Sequence, residues 1–267
     1  RKKQKQRKKT GDKRKKSKLC SFKQGMQTLI DALESELKKA GVNIITSCEV
    51  KSYNASLIRI IADGQEKELE TNLVVSAAPS YAVSQIFSHS YPSIAEACKD
   101  IAYTPMTVKV SGFEKIDNDI FNTSFGYLFP SSESPKILGT LFSSSIYPDR
   151  FNKNQDLART MIGGAKLPQV LEMDDVQINE IVRAEFSDTL GINEPCKFSK
   201  IIHWPQAIPI YRLGHYKIVE TIEKVLEKEP VFITGNAFYG VSMNDCIIAA
   251  AQCVKKVQTY LENEQCN

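Results

Sequence analysis

Long apolar runs are absent from this sequence of 267 residues. Because no stretch of about 18 apolar residues occurs, we expect no membrane-spanning helix. No secretory signal peptide is apparent, since no apolar segment follows the basic start. An initial Met is also absent and the chain opens inside a charged run, so we expect a part of a longer protein. Hydrophobic residues still make up 42% of the chain, which is enough for the core of one large domain or two small ones.

Residues that bind metals or form disulfides are few. The number of Cys residues is odd, seven, and no two of them form a C-x-x-C pair, which argues against a zinc site and a secreted disulfide framework. The three His residues are far apart, so no histidine cluster for a metal is expected. Reduced thiols in a cytosolic protein fit this pattern best. The residues are Cys20, Cys48, Cys98, Cys196, Cys246, Cys253 and Cys266, with His89, His203 and His215.

Acidic residues are nearly missing from the first 19 positions, which hold 12 Lys or Arg and one Asp. The whole chain has 35 basic and 31 acidic residues, so residues 20–267 hold 23 and 30 and are mildly acidic. A run of like charge is usually solvated and disordered, although it can also contact nucleic acid or anionic lipid. No aromatic residue is interleaved before Phe22. We therefore predict a disordered basic tail over residues 1–19 and expect no nucleic-acid partner.

The run TGNAFYGVSMNDC, residues 234–246, is the most informative part of the chain. It follows an apolar strand pattern at 231–233 and precedes an Ala-rich helical pattern at 247–251. The order strand, glycine turn, helix places unpaired N–H groups and a positive dipole end at the turn. A phosphate or an anionic ring system would be stabilised there. Many α/β turns use glycine for backbone geometry alone, so both interpretations stay open at this point.

The periodicity of the chain predicts alternating helices and strands. Apolar residues at helical spacing predict a helix over 26–40 that Gly41 ends. A strand is predicted to start at 42–45 and to continue extended over 47–50. Asp63-Gly64 predicts a hairpin turn. The largely apolar run 73–79 is typical of a parallel strand covered on both faces. The pattern over residues 92–228 predicts a mixed sheet with helices. The two flanks, about 20–90 and 229–263, are predicted to belong to one α/β layer.

Several short runs, taken together and in order, resemble one family. Each of them is weak alone, but they extend in register from residue 21 to about 260. They resemble the oxygen-dependent protoporphyrinogen oxidases, flavoenzymes of haem biosynthesis that are related to the flavin amine oxidases. The runs are SFKQGMQTL (21–29), VVSAAP (74–79), FGYLFPSSE (125–133), LGTLFSS (138–144), YPDR (147–150), MIGG (161–164), WPQAIP (204–209), LGH (213–215) and the turn 235–246.

The resemblance implies FAD as cofactor and an α/β fold with an α+β substrate domain. That fold comprises part of an FAD-binding doubly wound layer and a mixed-sheet substrate-binding domain. The family begins with a G-x-G-x-x-G unit that holds the FAD pyrophosphate, and this sequence contains no such run. We therefore expect the C-terminal half to two-thirds of such an enzyme, which would hold FAD poorly by itself. The expected parts are the basic tail 1–19, FAD-binding segments 20–91 and 229–263, and a substrate-binding segment 92–228.

The resemblance also implies roles for individual residues. The backbone of Val50 would meet the adenine, and Trp204 would pack beside the flavin, although both could equally be core residues. The glycine turn would carry the flavin pyrimidine edge, with a helix start that stabilises negative charge at N1 and C2=O. Gly126 would let a flat macrocycle pass close to the backbone, although this run also fits a plain strand. The cofactor-binding residues are Val50, Trp204, Gly235, Gly240, Val241, Ser242 and Met243; the substrate-binding residues are Phe125, Gly126, Leu128 and Met161.

The implied reaction moves hydride from a meso carbon of protoporphyrinogen IX to the flavin N5, in three two-electron steps, and oxygen then reoxidises the flavin. The cofactor carries this reactivity, and no catalytic acid, base or nucleophile stands out in the sequence. His215 is interpreted as a structural turn residue. The expected partners are the porphyrinogen and oxygen, with a homodimer and a peripheral membrane contact left open.

Three alternatives to this function stay open. They are coproporphyrinogen III oxidation by the same family, a flavin amine oxidase, and a non-enzymatic module that acts through its basic tail. The amine oxidases place aromatic residues around the substrate amine just before the flavin helix, whereas this chain has Trp204-Pro205 to His215 there, so we rank that class lower.

Overall fold

The computed structural model describes residues 20–130, 132, 136–165 and 167–265. The predicted basic tail and Cys266 therefore lie outside the described residues. The chain divides into two compact units, residues 1–44 and 45–267. Among the described residues, none of the helices combines the length and the apolarity that crossing a bilayer requires.

The described part of the first unit is built around one helix, α1 (Gln27–Lys39). Gly41 has a φ of +80°, and its N–H bonds to the carbonyl of Lys38 at 3.0 Å. The N–H of Val42 bonds to the carbonyl of Leu37 at 3.0 Å, which completes a Schellman C-cap. The helix is confirmed. The strand predicted to start at Val42 starts later, at Cys48, because the chain first closes the helix end.

The second unit contains the remaining elements. In chain order they are β1 (Cys48–Asn54), β2 (Leu57–Ala62), β3 (Gln65–Glu70), β4 (Val74–Ser76), α2 (Ser80–Ile86), α3 (Pro92–Lys99), β5 (Tyr103–Glu114), α4 (Asp119–Thr123), β6 (Gly126–Leu128), β7 (Gly139–Phe142), α5 (Ser143–Ile146), a 3-10 turn (Pro148–Arg150), β8 (Gln155–Gly163), a 3-10 turn (Pro168–Glu172), α6 (Asp175–Leu190), β9 (Phe198–Pro209), α7 (His215–Val225), β10 (Val231–Ile233) and α8 (Met243–Gln265).

One core of this unit lies around the parallel pair of β4 and β10. Val231 and Ile233 of β10 pack in it with residues of β1, α2, α3 and α7. The antiparallel meander β1-β2-β3 adjoins it, and its Asp63-Gly64 turn has φ angles of 53° and 74°, as the sequence predicts. Helices α3 and α7 contribute to this core, although both lie within residues 92–228, the predicted substrate-binding segment. The predicted domain boundaries stay predictions.

The other core lies against a five-stranded sheet in the order β6-β7-β8-β5-β9. All four pairings are antiparallel, so this sheet is not mixed as the sequence pattern predicts. Strands β8 and β9 run in the same direction and are joined through α6, but β5 lies between them and is antiparallel to both, so no two neighbouring strands of the described sheet are parallel. Helix α6 covers one face, where Ile178, Val182 and Phe186 pack on Phe113 and Ile162.

The two faces of this sheet differ. On the face under α6, the β5 residues Thr107, Lys109 and Ser111 are buried, and Lys109 Nζ donates to Ser111 Oγ at 2.9 Å. The opposite face, which we call the open face, carries Met106, Val108 and Val110, which are only partly buried. Strand pairing adds to the open face the residues Gly126, Leu128, Gly139, Leu141, Arg159, Met161, Lys200, Ile202 and Trp204.

Candidate functional site

The glycine turn after β10 has the predicted form. Gly235 and Gly240 have φ angles of 109° and 125°, which disfavour any residue with a side chain. A Cβ on Gly240 would lie 2.5 Å from the Cβ of Asp245. Gly240 is therefore required by the packing of the turn itself, in addition to any approach of a ligand that the sequence suggests.

Ser242 and Asp245 cap the helix that follows the turn. Ser242 Oγ accepts from the Asp245 N–H at 3.1 Å, and Asp245 Oδ2 accepts from the Ser242 N–H at 3.2 Å. This reciprocal capping box uses two of the donors at the helix start. The next N–H groups, those of Met243 and Asn244, have no acceptor among the residues that the structure describes. These two groups, together with exposed Val241, are the part of the turn that can receive an electron-rich edge of a cofactor.

Tyr211 holds the turn in place, and the sequence reasoning missed it. Its hydroxyl accepts from the N–H of Gly240 at 2.7 Å and donates to the carbonyl of Asn236 at 2.7 Å. The ring of His215 stacks on that of Tyr211, with 3.9 Å between ring centroids. Burial lowers the pKa of His215, against an opposing hydrogen bond with the backbone of Phe238. The His215 ring packs behind the turn against Tyr211, and the structural role expected of it stays a prediction.

Two of the predicted substrate residues, Leu128 and Met161, lie in one row of the open face. Leu128, Gly139, Met161, Val108 and Ile202 follow one another across the five strands as paired neighbours. Leu128 is 72% exposed, and its Cδ2 would lie 2.7 Å from a Cβ at position 139, so the Leu128 side chain covers buried Gly139. This apolar row can lie against a flat hydrophobic ligand.

The other predicted residues have mixed positions. Phe125, 60% exposed, precedes β6, and Trp204, 53% exposed, pairs with Met106 on the open face. Gly126 also belongs to this face, but a Cβ there would lie 2.1 Å from the carbonyl oxygen of Thr140, so the pairing of β6 with β7 already demands a glycine. Val50 lies on a different sheet, in β1, paired with Ile60. The roles of all eleven predicted residues stay predictions.

A cleft of about 800 Å³ lies elsewhere in this unit. It is lined by residues of α7, β10 and α8, among them Glu223, Phe232 and Lys256. None of the residues predicted for the flavin or the substrate lines it. The cleft is therefore separate from the predicted site.

Solved structures show the same fold. A structure named as a candidate protoporphyrinogen oxidase from Exiguobacterium sp. 255-15 matches with a TM-score of 0.75 at 18% identity, over 93% of this chain and 54% of that chain. Cyclohexylamine oxidase from Brevibacterium oxydans IH-35A matches with a TM-score of 0.65 at 11% identity, over 89% of this chain and 53% of that chain. The predicted fold class is confirmed.

Curated proteins show relatives by sequence. The mitochondrial protoporphyrinogen oxidase of Nicotiana tabacum is 28% identical over 259 residues, which are 91% of this chain and 51% of that protein. The protoporphyrinogen oxidase of Bos taurus is 28% identical over 250 residues, with coverages of 89% and 51%. The chain thus spans about half the length of these relatives.

A family model described as flavin containing amine oxidoreductase matches residues 4–257. This match confirms FAD, the cofactor predicted from the sequence. The exposed helix start, the glycine turn and the exposed Trp204 side chain are features that can hold a flavin ring. The chain belongs to the flavin-containing amine oxidoreductases.

Proposed function

We propose that this chain provides the substrate-binding face and the C-terminal flavin-contacting turn of an enzyme that oxidises protoporphyrinogen IX to protoporphyrin IX with oxygen. The observation that carries the proposal is the open face, an apolar sheet surface that α6 leaves uncovered. Relatives named protoporphyrinogen oxidase, at 28% identity over about nine-tenths of the chain, support the choice of substrate.

The proposed oxidation depends on a surface that positions the substrate and not on reactive side chains. FAD supplies the hydride acceptor when it is bound. The residues of this chain then bind the macrocycle through the row from Leu128 to Ile202, and exclude water from its face. At the turn, the N–H groups of Met243 and Asn244 favour negative charge, an effect of roughly 0.3–1 kcal/mol at an exposed helix start. Asp245 lies beside them and offsets part of that effect.

The proposal is tested with flavin-loaded protein and anaerobically prepared protoporphyrinogen IX. Because the chain spans half of its relatives, the assay uses the 267-residue chain alone and with an added N-terminal half that carries a dinucleotide-binding unit. Porphyrin fluorescence and peroxide are measured together, and we expect about three peroxide per porphyrin. Oxidation of an amine but not of a porphyrinogen would refute the proposal in favour of an amine oxidase, and turnover of coproporphyrinogen III alone would refute the choice of substrate.

A matched pair of variants connects turnover to the open face. Leu128→Glu places a carboxylate in the apolar row, so we expect a rise in KM of roughly tenfold or more, since burying an unpaired charge is costly. Leu69→Glu changes an exposed leucine of β3, 39% exposed and on another sheet, and should leave turnover unchanged. Equal effects of the two variants would remove the open face from the substrate site.

A further inference from the structure

The His215 side chain belongs to the contacts that hold the glycine turn. Its ring stacks on that of Tyr211, with 3.9 Å between ring centroids and 13° between ring planes, and it hydrogen-bonds to the backbone of Phe238. The Tyr211 hydroxyl bonds to the Gly240 N–H and to the Asn236 carbonyl. The two rings together therefore make three main-chain contacts with the turn.

One nitrogen of His215 has no partner. Its Nε2 atom is buried, and no described residue forms a hydrogen bond with it. A neutral imidazole can leave Nε2 bare, whereas an imidazolium carries a proton there and needs an acceptor. A buried N–H without an acceptor is costly, so the surroundings of this nitrogen favour the uncharged ring.

Two further effects act on a charge at this position. His215 is the first residue of α7, where the positive end of the helix dipole opposes a cation. The stacked ring of Tyr211 would attract one. Burial lowers the pKa of His215, and the hydrogen bond with the backbone of Phe238 offsets this only in part. The ring is thus uncharged over more of the pH range than the ring of an exposed histidine.

Charged groups on neighbouring elements act on Tyr211, whereas the pKa of His215 is set by burial and by the backbone. Burial raises the pKa of Tyr211, and Cys246 and Asp245 of α8 and Tyr103 of β5 raise it further. Tyr211 therefore keeps its proton and can both donate and accept. The other charged residues described in α3, in α7 and just before α7 are exposed or in ion pairs: Arg212, Lys217, and the pairs Glu96–Lys99, Glu220–Lys224 and Glu223–Lys256.

Packing of a neutral aromatic ring is the ordinary explanation of a buried histidine, and it would leave the turn insensitive to pH. Here the same ring bonds to the turn at Phe238 and supports the tyrosine that binds Gly240. A proton on Nε2 is best accommodated if the ring moves toward water. Because both contacts depend on one ring, its movement would disturb both.

We propose that His215 and Tyr211 are positioning residues, and that they hold the glycine turn in its flavin-receiving shape only while the His215 ring is uncharged. The inference rests on the proposed function in naming the turn a flavin contact. A released ring regains the ordinary pKa of 6.5, so acid favours release. The turn is held fully above that pH, and the hold is lost as pH falls through the lower pKa of the folded state.

The test follows the turn itself in the 267-residue chain and needs neither flavin nor turnover. Hydrogen exchange measured by NMR gives the protection factor of the Gly240 amide, and the imidazole resonances of His215 give its protonation. Between about pH 7.5 and pH 5, the Gly240 amide should lose roughly fivefold or more of its protection, with the same midpoint as the titration of His215. The Thr234 amide, which bonds to the Ser76 carbonyl at 2.8 Å, is the internal control and should keep its protection.

Variants assign the effect to the two rings. His215→Gln keeps a polar side chain that cannot be protonated, so the protection of Gly240 should no longer depend on pH. His89→Gln removes an exposed histidine and should keep the wild-type dependence. Tyr211→Phe removes the acceptor of the Gly240 N–H and should give low protection at every pH. Circular dichroism checks that each variant is folded, and the comparison of Gly240 with His215 in the wild-type chain needs no variant.

Four outcomes would overturn the inference: constant protection of Gly240, a midpoint that differs from that of His215, the wild-type dependence in His215→Gln, or an equal loss at Thr234. The proposed function fails separately, when flavin-loaded protein does not oxidise protoporphyrinogen. A turn that responds to the protonation of His215 in a protein without this activity would keep the inference and refute that function. Oxidation with a turn insensitive to pH would do the reverse.

Discussion

Removing the Tyr211 hydroxyl should loosen the glycine turn without disturbing its surroundings. The hydroxyl bonds to the N–H of Gly240 and to the carbonyl of Asn236, each at 2.7 Å. Tyr211→Phe deletes both bonds and keeps the ring that stacks on His215. The variant therefore tests whether these two hydrogen bonds set the shape of the turn.

The expected loss of stability is modest. A typical hydrogen bond contributes a net 0.5–1.5 kcal/mol or so, and two would give up to roughly 3 kcal/mol. Tyr211 is 41% exposed, so water can replace part of what is lost. We expect about 1 kcal/mol, which corresponds to roughly 2–4 °C in the thermal midpoint for a domain of this size.

Two measurements together check this expectation. Urea unfolding of the variant gives the loss of stability, and hydrogen exchange of the Gly240 amide reports the loosened turn, with faster exchange expected. Tyr216→Phe is the control, because Tyr216 is 67% exposed and its hydroxyl has no hydrogen-bond partner among the described residues. The reasoning fails if Tyr211→Phe matches this control in both measurements.

Other changes should produce distinct effects. Gly240→Ala should lower the free energy of unfolding in urea by about 2 kcal/mol more than Gly191→Ala. Both glycines have a positive φ, but only a Cβ at Gly240 would meet another atom closely, the Asp245 Cβ at 2.5 Å. Equal losses in the two variants would refute this. Asp156→Ala should cost roughly 2–4 kcal/mol by the same assay, since its buried carboxylate accepts three hydrogen bonds, and a loss below 1 kcal/mol or so would contradict it. Burial raises the pKa of Glu223, but hydrogen bonds chiefly from Lys256 lower it overall. Its stabilisation is therefore present above the unfolded-state pKa and lost as pH falls through the folded-state pKa, and Glu223→Gln should flatten the acid limb of a stability–pH curve.

Local signals predicted much of the secondary structure. Helix α6 has local signals at both ends, because Asp174 and Gln177 form a capping box at its start and Gly191 ends it with a φ of +68°. The hairpin at Asp63-Gly64 was likewise set by two adjacent residues. Such features depend on atoms a few positions apart, and the sequence displays those positions directly.

Features that join distant segments could not be predicted in this way. Strand β9 continues past Pro205 to Pro209, because it lies at the edge of its sheet, where proline is tolerated. The bond from Gly240 to Tyr211 spans 29 residues. The open face draws on five strands, so which side chains share it depends on the register of every pairing. Family resemblance suggested Leu128 and Met161, but Val108 and Ile202, which lie in the same row, required the register.

The five-stranded sheet buries the polar side chains of Thr107, Lys109 and Ser111 under α6. Its open face exposes the apolar side chains of Leu128 and Trp204. A broad apolar surface in water promotes self-association. The protein should therefore be least soluble when its ligand is missing, and a bound porphyrin or porphyrinogen would act as a stabiliser of the folded chain through mass action. On the proposed function, the supply of tetrapyrrole would therefore affect how much of this protein stays in solution.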